Sequence, residues 1–466
     1  MKTHNFLIAT TRPELIVRQV NAFIKVRNGR QINFYIFDDS YDKKEYFLRE
    51  ISKLPKDEAW VKVFYFSLDQ QKAMLLDTAR KYSLKLHVSG EEILKCFEEK
   101  NELRGIRSIQ NKSILIFYLK NNQNNSIIHK IDDDILPYEA DRRNGRVEII
   151  PKYDFFQHKE NVIGHDKKVI CGSNYTIDSP SPLVHYADFA EFVYKFLTIA
   201  KTKTESELVG ENTVTISPSQ AEEVLDIHNI VKLLPIGKNH TFGSALRELE
   251  NHINFFNKGI SRVVINDNRL QEKGTNKFFP GGCVSFLYNN VPTLTPLFGN
   301  QDLLWELFEA LDGKTIFTDG CIGHVKSESN RSSILEDLKD SSYKHQTSVT
   351  YAVFSHLVSK NRDGSLHDFE KNFVHLMNKW LEEARDYTKD ILRILNHEDG
   401  LWFRSVQYRN VLNNLKVILN EFEKSYEEIK SNFSYSNIDA DRIVTDYFQK
   451  KGIFDKLLKQ IISEHV

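Results

Sequence analysis

Between Phe6 and about Lys120, short apolar runs alternate with amphipathic stretches. The runs FLIA (6–9), INFYIF (32–37), VKVFYF (61–66) and LKLHV (84–88) predict strands by length and composition. Helical patterns lie between several of them, including Glu14 to Val26 after the Arg12-Pro13 start and Ile106 to Leu119 before the polar break NNQNN (121–125). That alternation is the signature of an α/β sheet: a Rossmann-type mixed sheet flanked by helices. A further strand, Ile127 to Ile131, stops abruptly at Asp132-Asp133-Asp134.

Beyond this point the pattern is less regular. The polar stretch KTKTESELVGENT (201–213) reads as a loop, and helix is expected to resume at Ser217-Pro218-Ser219-Gln220, where Ser217 can cap and Pro218 fits the first helical position. Residues 190–265 as a whole read as a helical or loop insertion. Two glycine-marked turns, Gly281-Gly282 and Gly299, follow among short apolar runs and suggest loops around a site. The last third changes character. Phe369, Phe373, Leu376, Trp380, Ala384, Tyr387, Ile391 and Ile394 recur at spacings of three and four, and Val411, Leu415, Ile418, Phe422, Tyr426 and Ile429 repeat the pattern. Two long amphipathic helices follow, and a third, Ile443 to Ile462, comes after them. The expected division is an α/β domain over 1–335 and a C-terminal α-helical bundle or cap over 336–466.

Composition narrows the function. In 466 residues, 41% hydrophobic and 27% charged is an ordinary folded balance. Lys+Arg 63 against Asp+Glu 64 gives a net charge of -1, so no global basic field attracts nucleic acid. The four cysteines form no C-x-x-C pair, which points to reduced thiols of a cytoplasmic protein instead of a zinc cage or disulfide framework. No window of about 18 apolar residues predicts a membrane span, and MKTHNFLIATTRPEL lacks the features of a signal peptide. The expected location is cytoplasmic, or peripheral at the inner face of the membrane. The C-terminal helices suit a dimer contact, a membrane surface or a cover for the sheet, and the sequence does not choose.

The candidate chemistry is acidic. Three consecutive carboxylates at a strand end repel one another and are costly to bury, and a cation removes both costs. Strand alternation would turn Asp132 and Asp134 to one side and Asp133 to the other, giving two oxygen ligands for Mn²⁺ or Mg²⁺. A solvated acidic turn is the competing reading. A second acidic pair, Asp38-Asp39, ends INFYIF, and two acidic strand ends can converge on one crevice of an open α/β sheet. Those carboxylates could accept hydrogen bonds from a ribose or a base, and Asp-Asp-Ser as an ordinary turn is the competing reading. His129 should alternate into the core, and Arg142, Arg143 and Arg146 read first as an exposed turn. No phosphate-binding G-x-x-x-x-G-K-[ST] loop and no H-E-x-x-H motif is present.

The order of these segments resembles the nucleotide-sugar glycosyltransferases of the GT-A fold, family-2-like members among them. The matching features are Thr10 and Arg12-Pro13-Glu14 after the first strand, Asp38-Asp39-Ser40 after the second, and Asp132-Asp133-Asp134 after a later one. Gly105 and Asn111 match a glycine and helix start that precede the metal-binding strand, with Gln110 where the family has arginine. Phe279-Pro280-Gly281-Gly282-Cys283 resembles the family's acceptor-side glycine pair. Gly299-Asn300-Gln301-Asp302 resembles its Glu-Asp motif without the glutamate. The resemblance spans roughly residues 5 to 335 through short motifs.

The resemblance implies a metal-dependent transfer from a nucleotide-diphosphate sugar, a UDP-sugar first, to a hydroxyl acceptor on a glycan, glycolipid or other cell-envelope molecule. It assigns donor binding to Thr10, Arg12, Asp38, Asp39, Asn111, Asp132 and Asp133, and metal binding to Asp132, Asp134 and His324. Gly281 and Gly282 fall on the acceptor side, and Asp302 becomes the general base of an inverting reaction. Lys326, Asn330 and Arg331 lie where a diphosphate contact or a solvated polar loop would be. Two rival readings stand beside this one: a sugar-nucleotide nucleotidyltransferase, and a noncatalytic scaffold with a degenerate α/β domain.

Overall fold

The computed structural model describes residues 2–40, 42–54, 59–97, 109–122, 125–143, 146–163, 168–177, 182–201, 250, 253, 271–272, 282–295, 301–324, 333–360, 364–397, 406–434 and 439–465. The expected helix start at 217–220, the polar stretch after Lys201, Gly281, Gly299, Gly105 and residues 326, 330 and 331 lie outside them.

The chain begins β1 (Thr3–Thr10), α1 (Pro13–Val26), β2 (Ile32–Asp38), α2 (Lys44–Ile51), β3 (Val61–Phe66), α3 (Leu68–Leu86), α4 (Gly90–Lys95), α5 (Ile109–Lys120) and β4 (Ser126–Ile131). It continues through β5 (Ile135–Leu136), β6 (Tyr138–Arg143), β7 (Arg146–Pro151), α6 (Phe155–Ile163), β8 (Val169–Ile177), α7 (Pro182–Lys201), β9 (Gln271–Glu272), β10 (Cys283–Leu287), α8 (Gln301–Leu311) and β11 (Thr315–His324). Five helices end the described chain: α9 (Ile334–Leu338), α10 (Ser342–Lys360), α11 (Gly364–His397), α12 (Val406–Asn432) and α13 (Ala440–Ser463).

The main sheet runs in the order β3-β2-β1-β4-β10-β8-β11-β5, with β9 also on β11. Strands β3, β2, β1 and β4 are parallel, β10 is antiparallel to both its neighbours, and β8 and β11 are parallel to each other. The expectation of a mixed α/β sheet flanked by helices, with a C-terminal helical region, therefore holds. The expected strand LKLHV is instead the end of α3. Ser67 accepts from the backbone N–H of Gln70 while the Gln70 side chain accepts from the N–H of Ser67, and this capping box starts a helix that runs through Leu86. His87 closes it with a left-handed backbone, φ 53°.

Both faces of β1, β2 and β4 are buried, which is why they read as continuous apolar runs, whereas the edge strand β3 is buried only in part. Phe6, Ile8, Phe34 and Ile36 face α1 in one cluster with Ile16, Val20 and Phe23. Leu7, Tyr35 and Phe37 face the other way, into a cluster with α5 and α13. Helix α13 thus packs on the sheet: Phe454, Leu457 and Leu458 share that cluster with Phe117 and Trp305. Helices α11 and α12 form a separate cluster with α7, where Tyr186 stacks on Phe422 at 3.9 Å between ring centres. Helix α7 runs across residue 190, where the insertion was expected to start.

A polar chain crosses the α1 face. Ser285 Oγ lies 2.8 Å from His129 Nδ1, His129 Nε2 lies 2.9 Å from His4 Nδ1, and His4 Nε2 lies 3.1 Å from Glu160 Oε1. Arg30 completes it with two bonds to Glu160, of 2.9 and 2.8 Å. The carboxylate only accepts, so His4 carries its proton on Nε2. A neutral His4 then accepts at Nδ1 from His129 Nε2, and His129 Nδ1 accepts from the Ser285 hydroxyl.

Candidate active site

In an open parallel sheet, ligands bind outside the carboxyl ends of the strands at the point where strand order reverses. Here β1 lies between β2 and β4, so that point is the gap between β1 and β4. Ile8 pairs with Ile131, and Thr10 pairs with Asp38 on the other side. The two acidic strand ends of the sequence therefore lie at the same edge of the sheet, on either side of the end of β1.

The aspartate triplet follows the last residue of β4 as a turn, not as more strand. The Asp132 N–H donates to Gly282 O at 2.8 Å, and the Ile135 N–H returns to Asp132 O at 3.2 Å. Buried Gln19, on α1, fixes the turn by donating its amide N–H to the carbonyl oxygens of Asp132 and Ile135, the second at 2.9 Å. This turn corrects the expected alternation, because Asp133 and Asp134 meet at a single guanidinium. Arg12 Nε donates to Asp133 Oδ2 at 3.0 Å, and its Nη2 donates both to Asp133 Oδ1 and to Asp134 Oδ2, the latter at 3.1 Å. Thr10 Oγ1 also donates to Asp133 Oδ2 and accepts from the Arg12 N–H at 2.8 Å. Both oxygens of Asp133 are thereby engaged. The Arg12 side chain remains 25% exposed while that of Asp133 is 5% exposed, so the guanidinium forms the wet edge of the cluster.

The other oxygen of Asp134 faces His324. Strand β5 pairs antiparallel with β11, with Ile135 opposite His324, which sets Asp134 beside that imidazole. Asp134 Oδ1 and His324 Nε2 are 3.6 Å apart. That is too long for a hydrogen bond and wider than the about 3.0 Å that separates neighbouring ligands of a six-coordinate ion with bonds of about 2.1 Å. Burial pushes the Asp134 carboxyl up, but His324 and Arg12 outweigh it and hold it below the ordinary carboxylate range. For Asp133 burial wins over Arg12 and the direction is upward. Burial lowers the Arg12 guanidinium, yet the bonds and charge of Asp133 and Asp134 hold it above its usual value.

Among the described residues no group of three or more His, Cys, Asp or Glu side chains gathers as a metal cage. The donor set that does exist, one carboxylate oxygen and one imidazole, suits a hard divalent ion that completes its shell with water and phosphate oxygens. Asp132 follows β4 half-buried; Asp134 and His324 are the pair brought together.

The second acidic pair is held by neighbours the sequence did not identify. Asp38 Oδ1 accepts from the Ser40 N–H at 2.8 Å and from its hydroxyl at 2.5 Å, and Oδ2 accepts from Tyr65 OH at 2.7 Å. Asp39 Oδ1 accepts from Lys112 Nζ at 2.8 Å. Tyr65 is found only through the pairing of β2 with β3, and Lys112 only through the packing of α5 on the sheet; no local motif marks either. Asn111 does not face the crevice freely. Its Oδ1 accepts from the Thr295 N–H at 2.8 Å and its Nδ2 donates to Thr295 O at 3.0 Å, tying α5 to the segment before α8. Lys130 lies over the Trp305 ring at 5.2 Å. Asp302 falls in the first turn of α8, and Gly282 is buried against Asp132. His129 lies in the core chain, away from the crevice.

No protein-family model matches the chain, and no curated protein matches it in sequence. Among solved structures, the mannosyltransferase PcManGT from Pyrobaculum calidifontis, in complex with GDP-Man and Mn²⁺, aligns over 92% of this chain and 85% of its own. The TM-score is 0.41 and the identity 8%, values that assign no chemistry to this chain.

Proposed function

We propose that this protein is a glycosyltransferase that moves a sugar from a nucleotide-diphosphate donor to a hydroxyl acceptor with the help of Mn²⁺ or Mg²⁺. The observation that supports it best is the Asp134–His324 pair, 3.6 Å apart at the point where strand order reverses. Asp134 and His324 would hold the ion, with Asp132 as a further oxygen ligand. A bound divalent ion supplies Lewis-acid stabilisation of the charge on the departing diphosphate.

The chain's own residues divide the remaining work. Arg12, at the exposed edge, offers guanidinium N–H groups to phosphate oxygens as well as to the carboxylates. Thr10 holds Asp133 and so fixes the crevice wall. Asp38 and Asp39, braced by Tyr65 and Lys112, line the nucleoside end, a UDP-sugar being the first donor to try. Asn111 steadies this wall from behind through Thr295. Gly281 and Gly282 let an acceptor approach the backbone closely. Asp302, at the start of α8, would take the acceptor proton, which makes the transfer an inverting one.

The test is a thermal-shift panel of UDP-, GDP-, ADP- and CMP-sugars, each with Mn²⁺ and with chelator. Stabilisation that requires sugar nucleotide and ion together supports the reading, and is followed by assay of sugar transfer. Asp134→Asn should abolish that transfer while leaving the protein folded by circular dichroism. A panel with no response to any donor, or an Asp134→Asn protein that still transfers, rejects it.

A further inference from the structure

Strand β3 is an edge of the main sheet, and its two faces differ. One is covered, since Phe47 of α2 stacks on Tyr65 at 5.9 Å between ring centres. Strand alternation puts Lys62, Phe64 and Phe66 on the other face, where Phe64 remains 38% exposed. The Phe64 ring lies on that of Tyr35, its paired residue in β2, with centres 4.7 Å apart and planes 15° apart. Tyr35 therefore covers the inner face of the ring, and no strand follows β3 to cover the outer face. A groove of about 460 Å³ opens here between β3 and the end of α5, with Tyr35, Phe64, Phe66, Lys120 and Asn121 in its lining. That volume falls within the ~300–1,000 Å³ of small-molecule sites. Lys62 and Lys120 are exposed and form no ion pair among the described residues. The groove is separate from the crevice: about 12 Å of helix lies between Lys112, bonded to Asp39, and Lys120.

We propose that this groove binds an acidic carbohydrate, a chain of uronic-acid sugars, with one ring stacked on Phe64 and its carboxylates paired with Lys62 and Lys120. The choice of a sugar rests on the reading of the chain as a glycosyltransferase, whose acceptor would then be held at a second place away from the crevice. An aromatic face is negative and flat, and the C–H groups on one side of a pyranose present a flat, slightly positive surface to it. Ammonium groups on flexible stems complement carboxylates without demanding one fixed geometry. The floor is set before any ligand arrives: Tyr35 OH donates to Asn121 Oδ1 at 2.6 Å, and Asn121 Nδ2 donates to Phe117 O at 2.9 Å. A second copy of the chain fits less well. A two-fold contact sets the patch against itself and brings its lysines together, and a lysine on an edge strand discourages strand addition.

The experiment is isothermal titration calorimetry of the full-length protein at low salt, with an oligogalacturonate and with a neutral malto-oligosaccharide of the same length. Wild type should bind the acidic oligomer more tightly than the neutral one, and added salt should weaken that binding. Phe64→Val, which keeps strand propensity and loses the ring, should raise the dissociation constant about tenfold. Lys120→Gln should raise it about two- to fivefold. Both variants should keep the wild-type thermal response to sugar nucleotides. If circular dichroism shows Phe64→Val unfolded, the Lys62→Gln, Lys120→Gln double variant decides. No binding of the acidic oligomer, equal binding of the neutral one, or an affinity unchanged in the folded variants overturns the proposal. So does an oligothymidylate that binds through Phe64 where oligogalacturonate does not. A response to sugar nucleotides without oligogalacturonate binding removes this groove and leaves the transferase reading. Oligogalacturonate binding that depends on Phe64 and Lys120, without any response to sugar nucleotides, keeps the groove and removes the transferase reading.

Discussion

Acid should weaken this fold through two imidazoles in its core. His4 and His129 are fully buried among Phe6, Phe155 and Phe156. Burial lowers the pKa of both from the ordinary 6.5, and for His129 the charges of His4 and Lys159 add to the effect. On His4 the pull of Glu160 opposes burial without overcoming it, and Arg30 and Lys2 act with burial. The folded state therefore binds fewer protons than the unfolded chain once the pH falls below 6.5. Stability is fully present above that value and is lost as the pH drops below it. For each imidazole that stays neutral when folded, going from about pH 7.5 to about pH 5.5 costs about 1.4 kcal/mol, so the pair costs about 2.7 kcal/mol. Glu160 adds no slope in that window, because hydrogen bonds from His4 and Arg30 hold its carboxyl down at about 2. The assay is urea unfolding followed by circular dichroism at several pH values, for wild type and for a His4→Gln, His129→Gln double variant whose amides still hydrogen-bond. Subtracting the variant removes every other titrating group. Wild type should lose the additional stability on acidification; a difference between the two proteins that stays flat across the pH range refutes the neutral-pair argument.

Other expectations follow from single contacts. Asn111→Ala removes two buried hydrogen bonds and strands the Thr295 N–H and C=O; a loss of about 2–4 kcal/mol is expected in chemical denaturation, and a change below about 1 kcal/mol would mean that water or another donor replaces the amide. Glu309 is fully buried, accepts from the Thr293 N–H and hydroxyl, and pairs with Lys314. Lys314→Met should cost about 3–5 kcal/mol by leaving that carboxylate without its cation, and Glu309→Gln combined with it should recover part of the loss in the same melting experiment. Ser67→Ala removes the cap of α3 and should cost about 1 kcal/mol, with unchanged sugar-nucleotide binding by thermal shift. Asp302→Asn should stop transfer and spare donor-dependent stabilisation; retained turnover would remove Asp302 from the reaction.

The alternation of short apolar runs with amphipathic stretches determined most of the strands and helices by itself, because burial on one face or both leaves a period that neighbouring residues carry locally. The same logic failed at 84–88, where an apolar alternation short enough for a strand is the last turn of a helix started by a capping box at Ser67. The position of the acidic clusters at strand ends was also legible, since unpaired carboxylates after a buried strand have no packing reason to be there. The division of labour among them was not. Asp133 rather than Asp134 is enclosed by Arg12 and Thr10 because the chain turns after Ile131, and Asp134 meets His324 because β5 pairs with the end of β11. Sequence patterns report what a residue needs from its local period. Which oxygen faces which partner depends on strand order and register, set by pairings between segments far apart in the chain.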